Sequence, residues 1–455
     1  MSSDWAIVMN ILLIFVLMFV AKLIKEKLGL FKSIVIPTAL LAGFLGLIIG
    51  PEVLGWVRFN TDFYEKLVFH TMGLGFIALT LTEEGVKHRT DSIKSGLFII
   101  STYCFQGVIG MLVVWGMVAT FKPDLFVGLG LMLPLAYGQG PGFASSIGES
   151  WDMVLPFGFA NQYGLTLSTV GFLVGGIVGV IMLNYYIRKY KIPVERLRTL
   201  KGLQSKELTV SSVNEINFFD NVTVQIVWIA IIYMVTYFTI LGLGSLLSHL
   251  GSIGETIASL IKGFNYLFGI ILALLFKKIL GLTTKISKRT KSLLDRYMMN
   301  NLASLFFNIM ITASVMAISI EAMKDYWELL AVISVFGAIT SLVYIVWFGR
   351  RTFHNNTIHY ILAMFGMLTG TASTGLALLR GIDPNLDTDV AQNFVLGSAI
   401  AAPLGIPLMI ALGLPVIGYT ENKPMYYYVT FIIILIYMLA MMAVTFIKSR
   451  RDKAK

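Results

Sequence analysis

The sequence predicts an all-α polytopic membrane protein built from two inverted five-helix repeats, each with a re-entrant glycine-rich loop, plus one extra C-terminal helix. Three observations predict it: an apolar composition, a one-sided distribution of basic residues, and a motif that recurs half a chain apart.

Of the 455 residues, 56% are hydrophobic and 13% are charged. A soluble chain of this length has too little interior to bury so much apolar surface. The charges fall in short stretches between apolar runs, as in a chain whose main solvent is lipid. The net charge of +10 sits in loops flanking those runs, which argues against nucleic acid as a partner. The single cysteine, Cys104, lies inside an apolar run, so there is no intramolecular disulfide and no cysteine-based metal cluster.

An apolar stretch of about 20 residues crosses the hydrocarbon core as a helix. That criterion places crossings at 5–23, 34–50, 66–82, 95–120, 157–187, 221–248, 263–280, 298–320, 328–348, 390–416 and 426–447. Two further apolar segments, 125–150 and 357–385, are broken by glycines and polar residues. With the N-terminus outside, one face of the membrane receives Lys22, Lys25, Lys27, Lys32, Lys87, Arg89, Lys94, the basic residues of 188–206 and 277–296, Arg350, Arg351 and the tail from Lys448 to Lys455. The other face receives Arg58, Lys66, Lys122, Lys262, Lys324 and Lys423, and Arg380 stays in the second broken segment. The basic-rich face is cytoplasmic, which predicts that 125–150 dips in from outside and 357–385 dips in from the cytoplasm.

The broken segments resemble each other. Tyr137-Gly138-Gln139-Gly140-Pro141-Gly142-Phe143-Ala144-Ser145-Ser146 aligns without a gap on Phe365-Gly366-Met367-Leu368-Thr369-Gly370-Thr371-Ala372-Ser373-Thr374, 228 positions on (366 − 138). Ala160-Asn161-Gln162-Tyr163 then aligns on Ala391-Gln392-Asn393-Phe394, 231 positions on (391 − 160). The odd number of crossings in each half makes the repeats inverted. The predicted organisation is an N-terminal repeat at 1–187, a cytoplasmic linker at 188–220, an inverted repeat at 221–416, and an extra helix with a basic tail at 417–455.

Glycine and proline at these loops weaken the helix. Irregular backbone at membrane depth persists only where it is buried in protein or lines a polar cavity. Broken helices at equivalent places in inverted halves point to a transporter's binding site, with amides for a carboxylate and carbonyls for a cation. The candidate substrate ligands are Gln139, Gly140, Gly142, Ser145 and Ser146 with Thr369, Gly370, Thr371, Ser373 and Thr374. The alternative for these small residues is close helix packing. Asn161, Gln162, Asn308, Gln392 and Asn393 are candidate cation ligands, or else caps and interhelical bonds. Arg380 is either a partner for a substrate carboxylate or a loop anchor paired with Asp383.

Together with Met72-Gly73-Leu74-Gly75 and Asn301-Leu302-Ala303-Ser304-Leu305-Phe306, these motifs resemble those of the bacterial sodium/glutamate symporters, the glutamate:sodium symporter family, over nearly the whole chain except the final helix. The resemblance implies sodium-coupled import of glutamate or a similar small carboxylate-bearing amino acid, Na+ as the coupling ion with no other cofactor, a homodimer, and the bacterial inner membrane. The C-terminus would then be cytoplasmic. The first loop departs from the family's Gly-Gly-His-Gly-Thr-like run at Tyr137–Pro141. The competing expectations are an ion channel, which also uses re-entrant loops, and a proton-coupled carrier of another organic anion. No carboxylate is expected mid-span near the loops, which favours Na+ over protons. A membrane enzyme is disfavoured, because His70, His88, His249, His354 and His359 show no catalytic or metal-binding spacing.

Overall fold

The computed structural model describes residues 3–27, 37–82, 90–156, 158–190, 221–249, 258, 261–262, 265–286, 294–383 and 388–453. Most of the predicted linker, 191–220, lies outside the described residues. All the regular structure among the described residues is helical.

The first half contains α1 (Ser3–Lys27), α2 (Thr38–Ile49), α3 (Thr61–Thr82) and α4 (Thr90–Thr120). A hairpin follows, with an irregular descending arm (Val127–Leu131 and Pro134–Gln139) and a return helix α5 (Pro141–Asp152). The half ends with α6 (Ala160–Tyr190). The second half contains α7 (Asn221–Ser248), α8 (Asn265–Ile286), α9 (Arg296–Met316) and α10 (Trp327–Thr352). Its hairpin pairs α11 (Thr357–Leu368) with α12 (Ala372–Arg380). A bent run follows, made of α13 (Val390–Leu404), α14 (Ile406–Ala411) and α15 (Gly413–Thr420), and α16 (Met425–Lys453) closes the chain.

By length and apolar composition, 7 of these helices can cross a membrane: α1, α4, α6, α7, α9, α10 and α16. The run from Val390 to Thr420, bent by 45°, makes an eighth. The chain is therefore an all-helical, multi-pass membrane protein. Pro403 and Gly405 cause the bend, because proline removes a hydrogen bond and crowds the preceding turn. A predicted crossing at 34–50 is shorter than expected. Its helix α2 has 12 residues, about 18 Å of rise against a core of about 30 Å.

The helices pack as two groups. One holds α1, α2, α3, α7, α8 and α9 around Met72, Val68, Met310 and Met316, with a second cluster around Ile77 and Met299. The other holds α4, α6, α10, both hairpins and α13–α16 around Phe98, Tyr137, Trp151 and Phe365. Within them, contacts come in exchanged pairs: α2 packs on α9 as α8 packs on α3, and α1 packs on α2 as α7 packs on α8. The appended α16 joins the second group. Its Tyr437 hydroxyl donates to the Leu404 carbonyl over 2.8 Å, satisfying an oxygen that the bend at Gly405 releases.

Candidate functional site

Hairpin 1 is built around Gly140, whose φ of +86° is costly for any residue with a side chain. Pro141 then opens α5, where its missing N–H costs nothing. The start and end of the hairpin meet: the rings of Phe126 and Trp151 pack edge to face at 5.4 Å. Hairpin 2 turns through Thr369 and Gly370, and Thr371 caps α12 by accepting from the Thr374 N–H at 3.3 Å. Its arms approach closely because Gly366 faces Gly375, where an added Cβ would lie 2.8 Å from backbone.

The two hairpins reach the middle of α4 from its opposite ends. The descending arm of hairpin 1 runs antiparallel to α4, with Gly130 against Gly110 backbone to backbone and Gly138 beneath Tyr103. The Tyr103 hydroxyl donates to the Gly138 carbonyl at 3.0 Å. Hairpin 2 starts at the other end of α4: Phe353, just before α11, packs on Phe98, and Tyr360 bonds to Asn393, which accepts from Ser92. The tips converge at Gln106, midway along α4. Gln106 donates to the Leu368 carbonyl at 2.9 Å and to the Ser341 hydroxyl at 3.1 Å, and its Oε1 faces Gly138. Gly171 of α6 lies between the tips, since a Cβ there would sit 2.8 Å from the Tyr137 ring and 3.0 Å from the Thr369 carbonyl.

The structure sorts the candidate ligands into several places. Thr369 and Gly370 sit at the convergence, with Thr369 Oγ1 donating to the Phe365 carbonyl. Gln139 and Thr371 are half-buried at the tips, and Gly140 and Thr374 are buried. Gly142 lies against the sulfurs of Met72 and Met310, and Ser146 points at Met72, 3.6 Å away. The Ser145 hydroxyl is buried without a hydrogen-bond partner. The side chain of Ser373 lies outside the described residues. Gln106, Ser341 and Ser334, whose carbonyl accepts from the Tyr137 hydroxyl at 3.1 Å, were not foreseen. The available signal was a lone amide in the centre of an apolar helix.

The cation candidates do not gather at one point. Asn393 braces hairpin 2 through Ser92 and Tyr360, while Gln392 and Asn308 are exposed. Asn161 and Gln162 lie where α6 meets the start of α3, and there they meet a carboxylate that was not foreseen, Glu65. Asn161 donates to Glu65 at 2.8 Å, and Gln162 donates to the other Glu65 oxygen and to the Ala317 carbonyl. Asp152, at the end of α5, accepts from the Ala160 and Asn161 amides at 2.8 and 2.9 Å and so caps α6. Arg380 is exposed in the last turn of α12, and Asp383 accepts from the Thr388 N–H and hydroxyl. A cleft of about 590 Å³ lined by Lys189, Arg350 and His359 lies at the foot of hairpin 2, away from the tips.

The return helices start 231 positions apart, at Pro141 and Ala372, and the helices after them 230 apart, at Ala160 and Val390. These separations are closer to the 231-residue spacing of the second landmark than to the 228-residue spacing of the glycine motif. In comparisons with known proteins, no family model matches the chain and no curated protein matches it.

Proposed function

We propose that the protein is a secondary transporter, a carrier and not an enzyme, that imports glutamate or a similar small carboxylate-bearing amino acid with Na+ by alternating access. The observation that carries this reading is the convergence of two broken hairpins on Gln106 from opposite ends of α4. In this reading the hairpins are re-entrant loops of two inverted repeats, and the exchanged pairs of helix contacts support that symmetry. Buried polar atoms around the tips support a ligand there. Gln106 Oε1, Ser145 Oγ and Ser334 Oγ lack hydrogen-bond partners, a cost that a polar substrate or water would offset. The helix starts of α5 and α12 at the two tips offer backbone amides suited to a carboxylate.

Hairpin 1 packs on α3 and α9 of the other helical group, whereas Ala372 at the tip of hairpin 2 is exposed. This asymmetry is the one expected of a carrier closed on one side and open on the other. The proposal includes the bacterial inner membrane, an outer N-terminus, a cytoplasmic C-terminus and a homodimer. Uptake of labelled glutamate into proteoliposomes tests it. Accumulation driven by an inward Na+ gradient is expected, and uptake that ignores the gradient would overturn the coupling.

A further inference from the structure

The contact between the two helical groups at Glu65 is built unlike the rest of their interface, which is apolar and sulfur-rich around Met72, Met310 and Phe143. Glu65 is half-buried on α3 and receives the side-chain amides of Asn161 and Gln162 across the interface. Gln162 is fully engaged, because its Oε1 also accepts from the Ser319 N–H at 2.8 Å. Asn161 is not. It is only 6% exposed, its Nδ2 is held by Glu65, and its Oδ1 is buried with no hydrogen-bond partner. A buried amide oxygen without a partner is destabilising, so this one is poised for a group with positive charge or a donor.

The charge around it points the same way. Asp62, Glu149 and Asp152 lie close enough to Glu65 to act on its charge, and the nearby cation, Lys66, is exposed and acts on Glu149. Four acidic side chains against one lysine favour a positive charge at this contact. Among the described residues, no three His, Cys, Asp or Glu side chains converge as a metal cluster. A divalent ion needs several charged ligands converging on one point. One carboxylate and a neutral amide oxygen suit a single positive charge.

We propose that Glu65 and the side-chain oxygen of Asn161 form a binding site for a monovalent cation at the contact between the two helical groups. Because Glu65 belongs to α3 and Asn161 to α6, a bound cation draws on both groups at once. Occupancy then alters how firmly hairpin 1 is held against α3. That consequence rests on the carrier reading, whereas the existence of the site does not.

Thermal unfolding of the purified protein in detergent, with NaCl exchanged for choline chloride at constant ionic strength, tests the site directly. A ligand that binds the folded state raises the midpoint in a saturable way. The wild type is expected to be stabilised by Na+ and not by choline. Glu65→Gln and Asn161→Ala are each expected to need about tenfold more Na+ or greater for the same shift. If Glu65→Gln fails to fold, Asn161→Ala still decides. An Na+ response equal to wild type in Asn161→Ala would overturn the proposal. A midpoint that follows pH with no difference between Na+ and choline would also overturn it, by making the occupant a proton. Gradient-driven uptake without any Na+-specific midpoint shift would remove this site and leave the carrier reading standing.

Discussion

Gln106 donates to the backbone carbonyl of Leu368, 262 residues away, over 2.9 Å, joining α4 to the tip of hairpin 2 while its own oxygen faces hairpin 1 at Gly138. The residue is 1% exposed. Replacing it with leucine keeps the bulk and strands the Leu368 carbonyl and the Ser341 hydroxyl. Gln106→Leu is expected to cost about 1–3 kcal/mol, measured as a lower unfolding midpoint. Uptake in proteoliposomes is expected to fall further than this modest loss of stability would explain.

The close approach of hairpin 1 to α4 depends on the absence of a side chain. A Cβ on Gly110 would lie 1.9 Å from the Gly130 carbonyl oxygen, whereas one on Gly116, on the same helix, meets nothing within 4 Å. Gly110→Ala is therefore expected to destabilise by about 3 kcal/mol, and Gly116→Ala to stabilise by up to about 1 kcal/mol through helix propensity. Parallel unfolding curves of the two variants check both signs.

At Gly140 the constraint is conformational, since nothing stands within 4 Å of an added Cβ and φ is +86°. Gly140→Ala is expected to cost about 1–3 kcal/mol from backbone strain alone. Gly142 has the opposite problem, with Met72 and Met310 sulfurs at 2.6 and 2.8 Å from an added Cβ. Those flexible side chains can yield to alanine but not to a large residue. Gly142→Ala is expected to retain transport, and Gly142→Phe to abolish it while membrane insertion persists, as uptake and membrane-fraction blots would reveal.

The appended α16 gives the bent α13–α15 run a hydrogen-bond donor that the bend itself requires. Tyr437→Phe removes the hydroxyl that serves Leu404 and is expected to cost about 1 kcal/mol. The same substitution at Tyr428, which is 59% exposed, is expected to change the unfolding midpoint little.

Much of the architecture was legible because glycine and proline interrupt long apolar runs, and those breaks mark both hairpins to within a few residues. Which face of an apolar helix turns inward was not legible. When a helix is apolar all round, its pattern carries no direction, so Asn308 on α9 reads as a core amide and is in fact exposed. Glu65 was missed for a related reason. It lies one residue before the crossing predicted at 66–82, and only the return of α6 beside α3 after hairpin 1 makes it a partner of Asn161 and Gln162. The helix starts at Pro141 and Ala372 lie 231 positions apart, so their spacing agrees with the Ala160/Ala391 alignment rather than with that of the glycines.

The central claim is that the two hairpins enter from opposite sides of the membrane, and sidedness of labelling tests it most directly. Cys104 is buried and can be replaced by alanine, after which single cysteines are placed at Met153, at the foot of hairpin 1, and at Asn355, at the foot of hairpin 2, both exposed. In intact cells an impermeant maleimide is expected to label Met153→Cys, and to label Asn355→Cys only after the membrane is opened. Labelling of both positions from the same side would contradict the inverted arrangement, and with it the meeting of the two tips at Gln106 as the centre of transport.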